Sequence, residues 1–255
     1  MIRGMYTSAS AMISLQSRQA VINNNMANIN TTGYKSESLI TKTFDEVLLS
    51  NHDDYKNGVG YRQDLGTLSF GIAIDETVTN NMQGTLYETG NSTDFGIIGD
   101  GYFRVVDADE NEYFTRDGSF RVNEIGYLTT STGELVTGTN LQNEEIGPIY
   151  VGNEQIVLNS SNELEVANQT YKLNVFSFNN VQELEKVSNN LYVGENSYEV
   201  FQSELRQNHL EGSNVDYIDQ TTLMMQNLKE FEANQKVIQT MDSTLAKIAS
   251  EIGRI

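Results

Sequence analysis

From Met224 the chain steps by four and three residues through Leu228, Phe231, Gln235, Ile238, Met241, Leu245, Ile248, Ile252 and Ile255, and every position but Gln235 is apolar. The steps alternate except for two threes in a row, from Gln235 to Ile238 to Met241. A period near 3.5 places a narrow apolar stripe on a helix that fits another helix better than a sheet. Between the stripe positions lie mostly Gln, Asn, Lys, Glu and Thr, and no Pro or Gly interrupts before Gly253. The same stride opens the chain in Ile2, Met5, Ala9, Met12, Leu15, Gln19, Ile22, Met26 and Ile29. It predicts a helix over about 7–28, with Thr7 or Ser8 as N-cap. Helices with so polar a remainder are marginal alone in water. Each needs a partner, in the same chain or in other copies.

The first stripe ends in a run with five Asn between positions 23 and 30, followed by Thr31, Thr32 and Gly33. Asn makes local backbone hydrogen bonds and tolerates a left-handed conformation, and Gly33 is a natural stop. Two readings stand side by side: a polar helix terminus, or side-chain amides bonded inside a packed interface. Beyond it the pattern weakens. Phe44–Leu49 reads as a short helix, Asn51–Gly58 as a polar turn, and Gly71–Ile74 and Glu76–Thr79 as extended. From Phe95 short apolar alternations recur about every ten residues, separated by Gly-containing turns. Strands are expected at 95–98, 102–106, 112–115, 119–122, 127–129, 135–136, 149–158, 171–178 and 198–205. The helical stride returns after Gly212. The fold class is α+β: an antiparallel β domain inserted between N- and C-terminal helices that form a coiled-coil-like terminal domain. The expected division is 1–35 helical, 36–94 linker and extended, 95–210 β domain, and 211–255 a C-terminal helix pairing with 1–35.

Charge changes this picture in one respect. The chain of 255 residues carries a net −19, but residues 1–42 hold +3, residues 206–255 hold −2, and the middle holds −20. Nearly neutral ends can be packed densely, whereas the acidic middle argues against nucleic acid or an anionic membrane as partner. Cysteine is absent, which excludes disulfides and thiolate metal sites. The first ten residues lack a cleavable-leader pattern, and no apolar run is long enough to span a bilayer, so no membrane insertion is expected.

A search for chemistry gives little. His52 and His209 are isolated in polar surroundings and read as surface residues. Asp107–Asn111 begins like a calcium loop, but Glu112 stands where Gly is required and Gly118 where a bidentate Glu should be, so a hairpin turn is expected. Gly96, Gly99 and Gly101 miss the dinucleotide spacing, and no phosphate-binding Gly-Lys-Ser/Thr is present. Carboxylate pairs carry almost no information in so acidic a chain. No catalytic, cofactor or metal residue is expected.

The residues 24–35, Asn-Asn-Met-Ala-Asn-Ile-Asn-Thr-Thr-Gly-Tyr-Lys, resemble the N-terminal signature of bacterial flagellar rod and hook proteins. Glu211-Gly212-Ser213-Asn214-Val215 before the long helix is similar to their C-terminal signature. Gln83-Gly84-Thr85-Leu86, Thr89-Gly90-Asn91, Gly99-Asp100-Gly101-Tyr102-Phe103, Thr115–Phe120 and Leu205-Arg206-Gln207 resemble the rod-type subgroup, with the distal rod as nearest type and the proximal rod as its sister. Asn51–Phe70 departs from the distal-rod pattern, and Ser92-Thr93-Asp94 stands in place of the usual Pro-Leu-Asp.

The resemblance implies a structural, non-enzymatic subunit that stacks helically on copies of itself into a hollow driveshaft, between neighbouring rod and hook proteins. It also implies terminal helices in an inner tube with the β domain outside, and delivery to the cell envelope by the flagellar type III export apparatus without a cleaved leader. The residues expected at the assembly interface are Met5, Met12, Leu15, Ile22, Met26, Leu228, Phe231, Ile238, Met241, Leu245 and Ile248, with Asn28, Asn30, Thr31 and Gly33 shaping the junction to the β domain. The alternatives are a proximal-rod or hook-type subunit, a soluble monomer whose ends pair as a hairpin while the β domain binds a ligand, and a hydrolase using carboxylates.

Overall fold

The computed structural model describes residues 2–56, 59–152, 154–159, 161–166, 169–180, 184–188, 190–194, 197–200 and 204–252. Asn57 and Gly58 of the expected turn, Asn153 of the expected strand 149–158, residues 201–203 of the expected strand 198–205, and Gly253 and Ile255 at the end of the second stripe lie outside them. So do the side chains of Ile2, His52 and Ile252. The chain forms two compact units, one of residues 1–26, 37–78 and 217–255, the other of 27–36 and 79–216.

The first unit is built on two long helices, α1 (Ile2–Ala27) and α2 (Tyr217–Ile252). The only Pro in the chain is Pro148, so nothing breaks either hydrogen-bond ladder. α1 begins earlier than Thr7. That residue sits inside the helix with its hydroxyl 3.0 Å from the Arg3 carbonyl, bonding back rather than capping. The helices run antiparallel. Asn25 Nδ2 lies 3.4 Å from Gln220 Oε1, Asn227 Nδ2 lies 3.0 Å from the Leu15 carbonyl, Arg18 meets Glu230 at 3.7 Å, and Gly4 packs on Met241. α2 has 36 residues against 26 in α1, about 15 Å more helix. On this register Leu245 and Ile248 lie past the start of α1.

The inward stripe of α2 differs from the apolar stripe read in sequence. Its buried and half-buried positions include Gln220, Met224, Asn227, Phe231, Asn234, Ile238, Met241 and Leu245, an unbroken alternation of four and three. Asn227 and Asn234 point inward, while Leu228 and Gln235 point out. The helix keeps one phase along its length, and the stutter in the apolar stripe would have shifted that phase.

Residues 37–78 add two β ribbons. β1 (Glu37–Thr43) pairs with β4 (Ile72–Thr79), and β2 (Val47–Lys56) pairs with β3 (Val59–Leu68) in a long hairpin with two register irregularities. Val47–Leu49 of the short helix expected at 44–49 and Asn51–Lys56 of the turn expected at 51–58 are therefore strand: Val47–Leu49 pair with Gly66–Leu68, and Asn51 with Gln63. A stretch of six residues is too short to hold a helix on its own, and the partner ribbon satisfies its backbone instead.

The second unit is an antiparallel β structure. Its central strand, Tyr102–Val106, is bonded to Glu112–Thr115, Leu135–Asn140 and Val175–Phe178. Alternation along it separates two cores. Phe103 and Val105 enter a large aliphatic cluster with Phe95, Ile97, Leu128, Val136, Ile149, Leu164 and Leu173. Tyr102 joins an aromatic cluster with Phe114, Phe176, Phe178 and Tyr192. Asp107–Asn111 is a hairpin turn, with Glu110 N donating to Asp107 O at 3.0 Å. Late strands close the unit onto early ones: Glu204–Gln207 pairs with Phe95–Ile98, and His209–Glu211 with Leu86–Glu88. This pairing draws residues 79–94 into the β unit, so the division falls after Val78 and not at Phe95.

Candidate functional site: the helix pair and a buried ion knot

Residues from five of the sequence signatures, at 35, 84, 99–101, 116 and 211, meet at one place in the β unit. Glu211, at the end of its strand, is almost wholly buried, and its Oε1 accepts from Lys35 Nζ at 2.7 Å and from the Gly84 amide at 2.8 Å. Its Oε2 accepts from Arg116 Nε at 2.6 Å. The terminal guanidinium nitrogens of Arg116 donate to the carbonyls of Gly99 and Gly101, and Lys35 also donates to the Met82 carbonyl at 2.7 Å. Lys35 and Arg116 are buried with side-chain exposures of 2% and 4%. Burial holds the Lys35 ammonium below the usual lysine range, with Glu211 pulling the other way.

Backbone and small residues make this close approach feasible. Gly33, at φ 66°, donates its amide to the Glu211 carbonyl at 2.8 Å, and a Cβ there would sit 2.6 Å from the Arg116 carbonyl carbon. Thr32 Oγ1 donates to Asp117 at 2.6 Å, and Asn190 Nδ2 donates to the Thr32 carbonyl at 2.9 Å. Asn214 accepts the Ser36 amide at 2.8 Å and donates to the carbonyls of Asn80 and Met82. Beside the knot a cavity of about 170 Å³ is lined by Lys35, Asp100, Tyr102, Arg116, Ser177 and Tyr198, among others. Burial there pushes the Tyr102 hydroxyl up to about 12.

The junction residues behave unequally. Gly33 is buried in the knot, Thr31 Oγ1 bonds Asn28 Oδ1 at 3.1 Å to shape the turn after α1, and Asn30 is exposed. Asn25 fits the packed-amide reading: it exchanges two bonds with Glu37, at 2.8 and 3.0 Å, and so ties α1 to β1. Lys35, Arg116 and Glu211 were not legible as a group, because charge spacing along the chain carries no sign of a meeting across 95 or 176 residues.

In the helix pair, Leu15 and Ile22 are buried, and Met5, Met12, Met26, Phe231, Ile238, Met241 and Leu245 are half-buried. Leu228 is 50% exposed and Ile248 37%. The pair is polar at its centre. Asn227, which sequence reading missed, is buried and donates to the Leu15 carbonyl and to Gln19 Oε1 at 2.9 Å. Its Oδ1 meets no donor among the described residues. Ser8 and Ser14 are buried alongside. His209 Nδ1 bonds the Gln207 carbonyl at 2.9 Å. Among the described residues no group of three or more His, Asp or Glu could hold a metal ion, and no helix is long and apolar enough to cross a membrane.

The chain thus has two long terminal helices that pair with each other and, between them in the sequence, an antiparallel β unit closed by the ion knot. Residues 5–35 match the flagella basal body rod protein family, 96–175 the flagellar hook protein FlgE/F/G D1 domain, and 206–251 the flagellar basal body rod FlgEFG protein C-terminal region. The chain is 30% identical to the flagellar hook-basal body complex protein FlhO of Bacillus subtilis over the full length of both. It is 31% identical, again over both full lengths, to the flagellar basal-body rod protein FlgG of Borreliella burgdorferi. With FlgG of Agrobacterium fabrum the identity is 30%, covering 98% of this chain and 99% of that one. The chain belongs to the flagellar basal-body rod protein family, and it is a structural rod subunit of the flagellar basal body.

Proposed function

We propose that the chain works by polymerisation, without catalysis, stacking helically on copies of itself and on neighbouring rod and hook proteins to transmit torque from motor to hook. The observation that carries this reading is the apolar surface left on the helix pair. Ile13 is 61% exposed, Ile218 73%, Met225 62% and Leu228 50%, on helices whose facing sides are already engaged. In a tube of copies, Met5, Met12, Leu15, Ile22, Met26, Phe231, Ile238 and Met241 hold each pair together, and residues that face outward or lie past α1, such as Leu228, Leu245 and Ile248, meet the next. Repeated helix contacts of this kind resist twist. The subunit is taken to reach its place through the flagellar type III export apparatus.

Pairing of α1 with α2 inside one chain is also what a solitary monomer would use, but such a monomer would leave Ile13, Ile218 and Met225 in water. Within the family the reading is distal rod, as in FlgG, with proximal rod, as in FlgF, as the sister reading. Immunogold mapping of an epitope-tagged chain along isolated basal bodies tests it. Label on the rod next to the hook is expected; label at the inner end of the rod selects the proximal reading, and no label on the rod removes both.

A further inference from the structure

Lys35 and Arg116 lie 176 and 95 residues before Glu211, the carboxylate that meets both. The other partners of the two cations in the knot are neutral carbonyls, those of Met82, Gly99 and Gly101. Asp100 adds attraction to Lys35 only from an exposed position. A buried cation without a carboxylate is strongly destabilising, and here two depend on one. The segment that brings Glu211 also brings late backbone and side-chain hydrogen bonds of the unit. Gly33 donates to the Glu211 carbonyl, Gly212 donates to Thr85 O at 2.9 Å, and Gln207 Nε2 donates to the carbonyls of Ser92 and Ile156 at 2.7 Å.

We infer that the β unit is built to stay open until residue 211 arrives: one late carboxylate neutralises two early cations and so acts as a closing switch. In a chain that emerges N-terminus first, the aromatic core is complete with Tyr192 and the aliphatic core with Leu205, but until Glu211 follows the interior holds uncompensated charge. Closure comes when little more than α2 remains to follow. Such a delay would keep the subunit narrow while it threads a channel, and that use rests on the proposed export route; the closure does not.

The test is made without any export machinery, so its failure would leave the rod assignment untouched. Chains of the 255-residue sequence, stalled on the ribosome behind linkers of increasing length, are probed by limited proteolysis. A protected β fragment is expected only once residues up to 216 have left the tunnel; protection with residue 205 outside and residue 211 still inside overturns the inference. In released full-length protein, Glu211→Gln keeps the strand pairing and is expected to be cleaved on the order of a hundredfold faster. Cleavage within about threefold of the natural chain overturns the charge mechanism. Adding Lys35→Met to Glu211→Gln should restore part of the protection, because one of the two uncompensated cations is gone. Further loss of protection would mean that hydrogen bonding, not charge, holds the unit shut.

Discussion

Replacing Asn227 by Leu is expected to stabilise the helix pair. Asn227 is 4% exposed, and the change removes its two donated bonds, to Leu15 O at 3.0 Å and Gln19 Oε1 at 2.9 Å. Those are worth about 0.5–1.5 kcal/mol each. Against this, the substitution removes a buried oxygen that meets no donor among the described residues, worth about 1–3 kcal/mol. It also buries a Leu side chain for about 1.5–3 kcal/mol. At the midpoints of these ranges the balance is a gain of about 2 kcal/mol, so amides of α2 around Met224 to Phe231 should exchange about 30-fold more slowly. Hydrogen exchange resolved along α2, with urea unfolding followed at 222 nm, measures both. A loss of more than about 1 kcal/mol would show that Asn227 is a net source of stability and that its orphan oxygen is satisfied in solution. The same variant should loosen register, since a single buried Asn in a helical seam favours one alignment over its neighbours. Cross-links between Cys placed at Gly4 and Met241 should become less exclusive.

Three further outcomes follow from the β unit. Tyr102 is neutral when folded up to about pH 12 and ionises near pH 10 when unfolded. Its contribution is thus complete below pH 10 and lost as pH rises toward 12, about 2–3 kcal/mol in all. Lys35, with its pKa lowered by burial, works in the opposite sense. The difference in urea midpoint between Tyr102→Phe and the natural chain, measured at pH 9 and pH 11.5, isolates the tyrosine, and the variant should lose less stability at the higher pH. Gly118→Ala places a Cβ 1.7 Å from the Phe95 carbonyl oxygen and should cost about 3 kcal/mol in thermal unfolding. Gly147→Ala, with open space around it, should cost less than about 0.5 kcal/mol in the same assay.

What could be read from the chain depended on whether burial leaves a local pattern. Phe95–Ile98, Tyr102–Val106 and Glu112–Thr115 are short apolar strands that the two cores bury, and turns between them bound each run. Among the described side chains the hairpin of β2 and β3 shows no buried face: Val47, Leu48 and Leu65 are 47%, 48% and 63% exposed. The helices were legible from their stride, but the seam of α2 was not, because Asn227 and Asn234 look like a wet face until a partner helix surrounds them. The motif residues 31–35, 83–84, 99–101, 115–118 and 211–214 gave the family without giving the reason for their juxtaposition. That reason is a carboxylate shared by two buried cations, a long-range pairing with no local signature. The start of α1 was misplaced for a smaller cause: Thr7 is a good cap in isolation but satisfies its hydroxyl on the Arg3 carbonyl.

Leu245 is half-buried on the inward stripe of α2, where that helix runs past the start of α1. Leu245→Asp places a charge on α2 and leaves the residues of the knot and of both cores of the β unit unchanged. Sedimentation velocity at concentrations where the natural chain forms tubes should find the variant monomeric, and isolated basal bodies from cells expressing it should lack it, while the thermal transition of the β unit is unchanged. Normal assembly of the variant, or a β-unit transition that collapses together with assembly, would contradict polymerisation through the terminal helices.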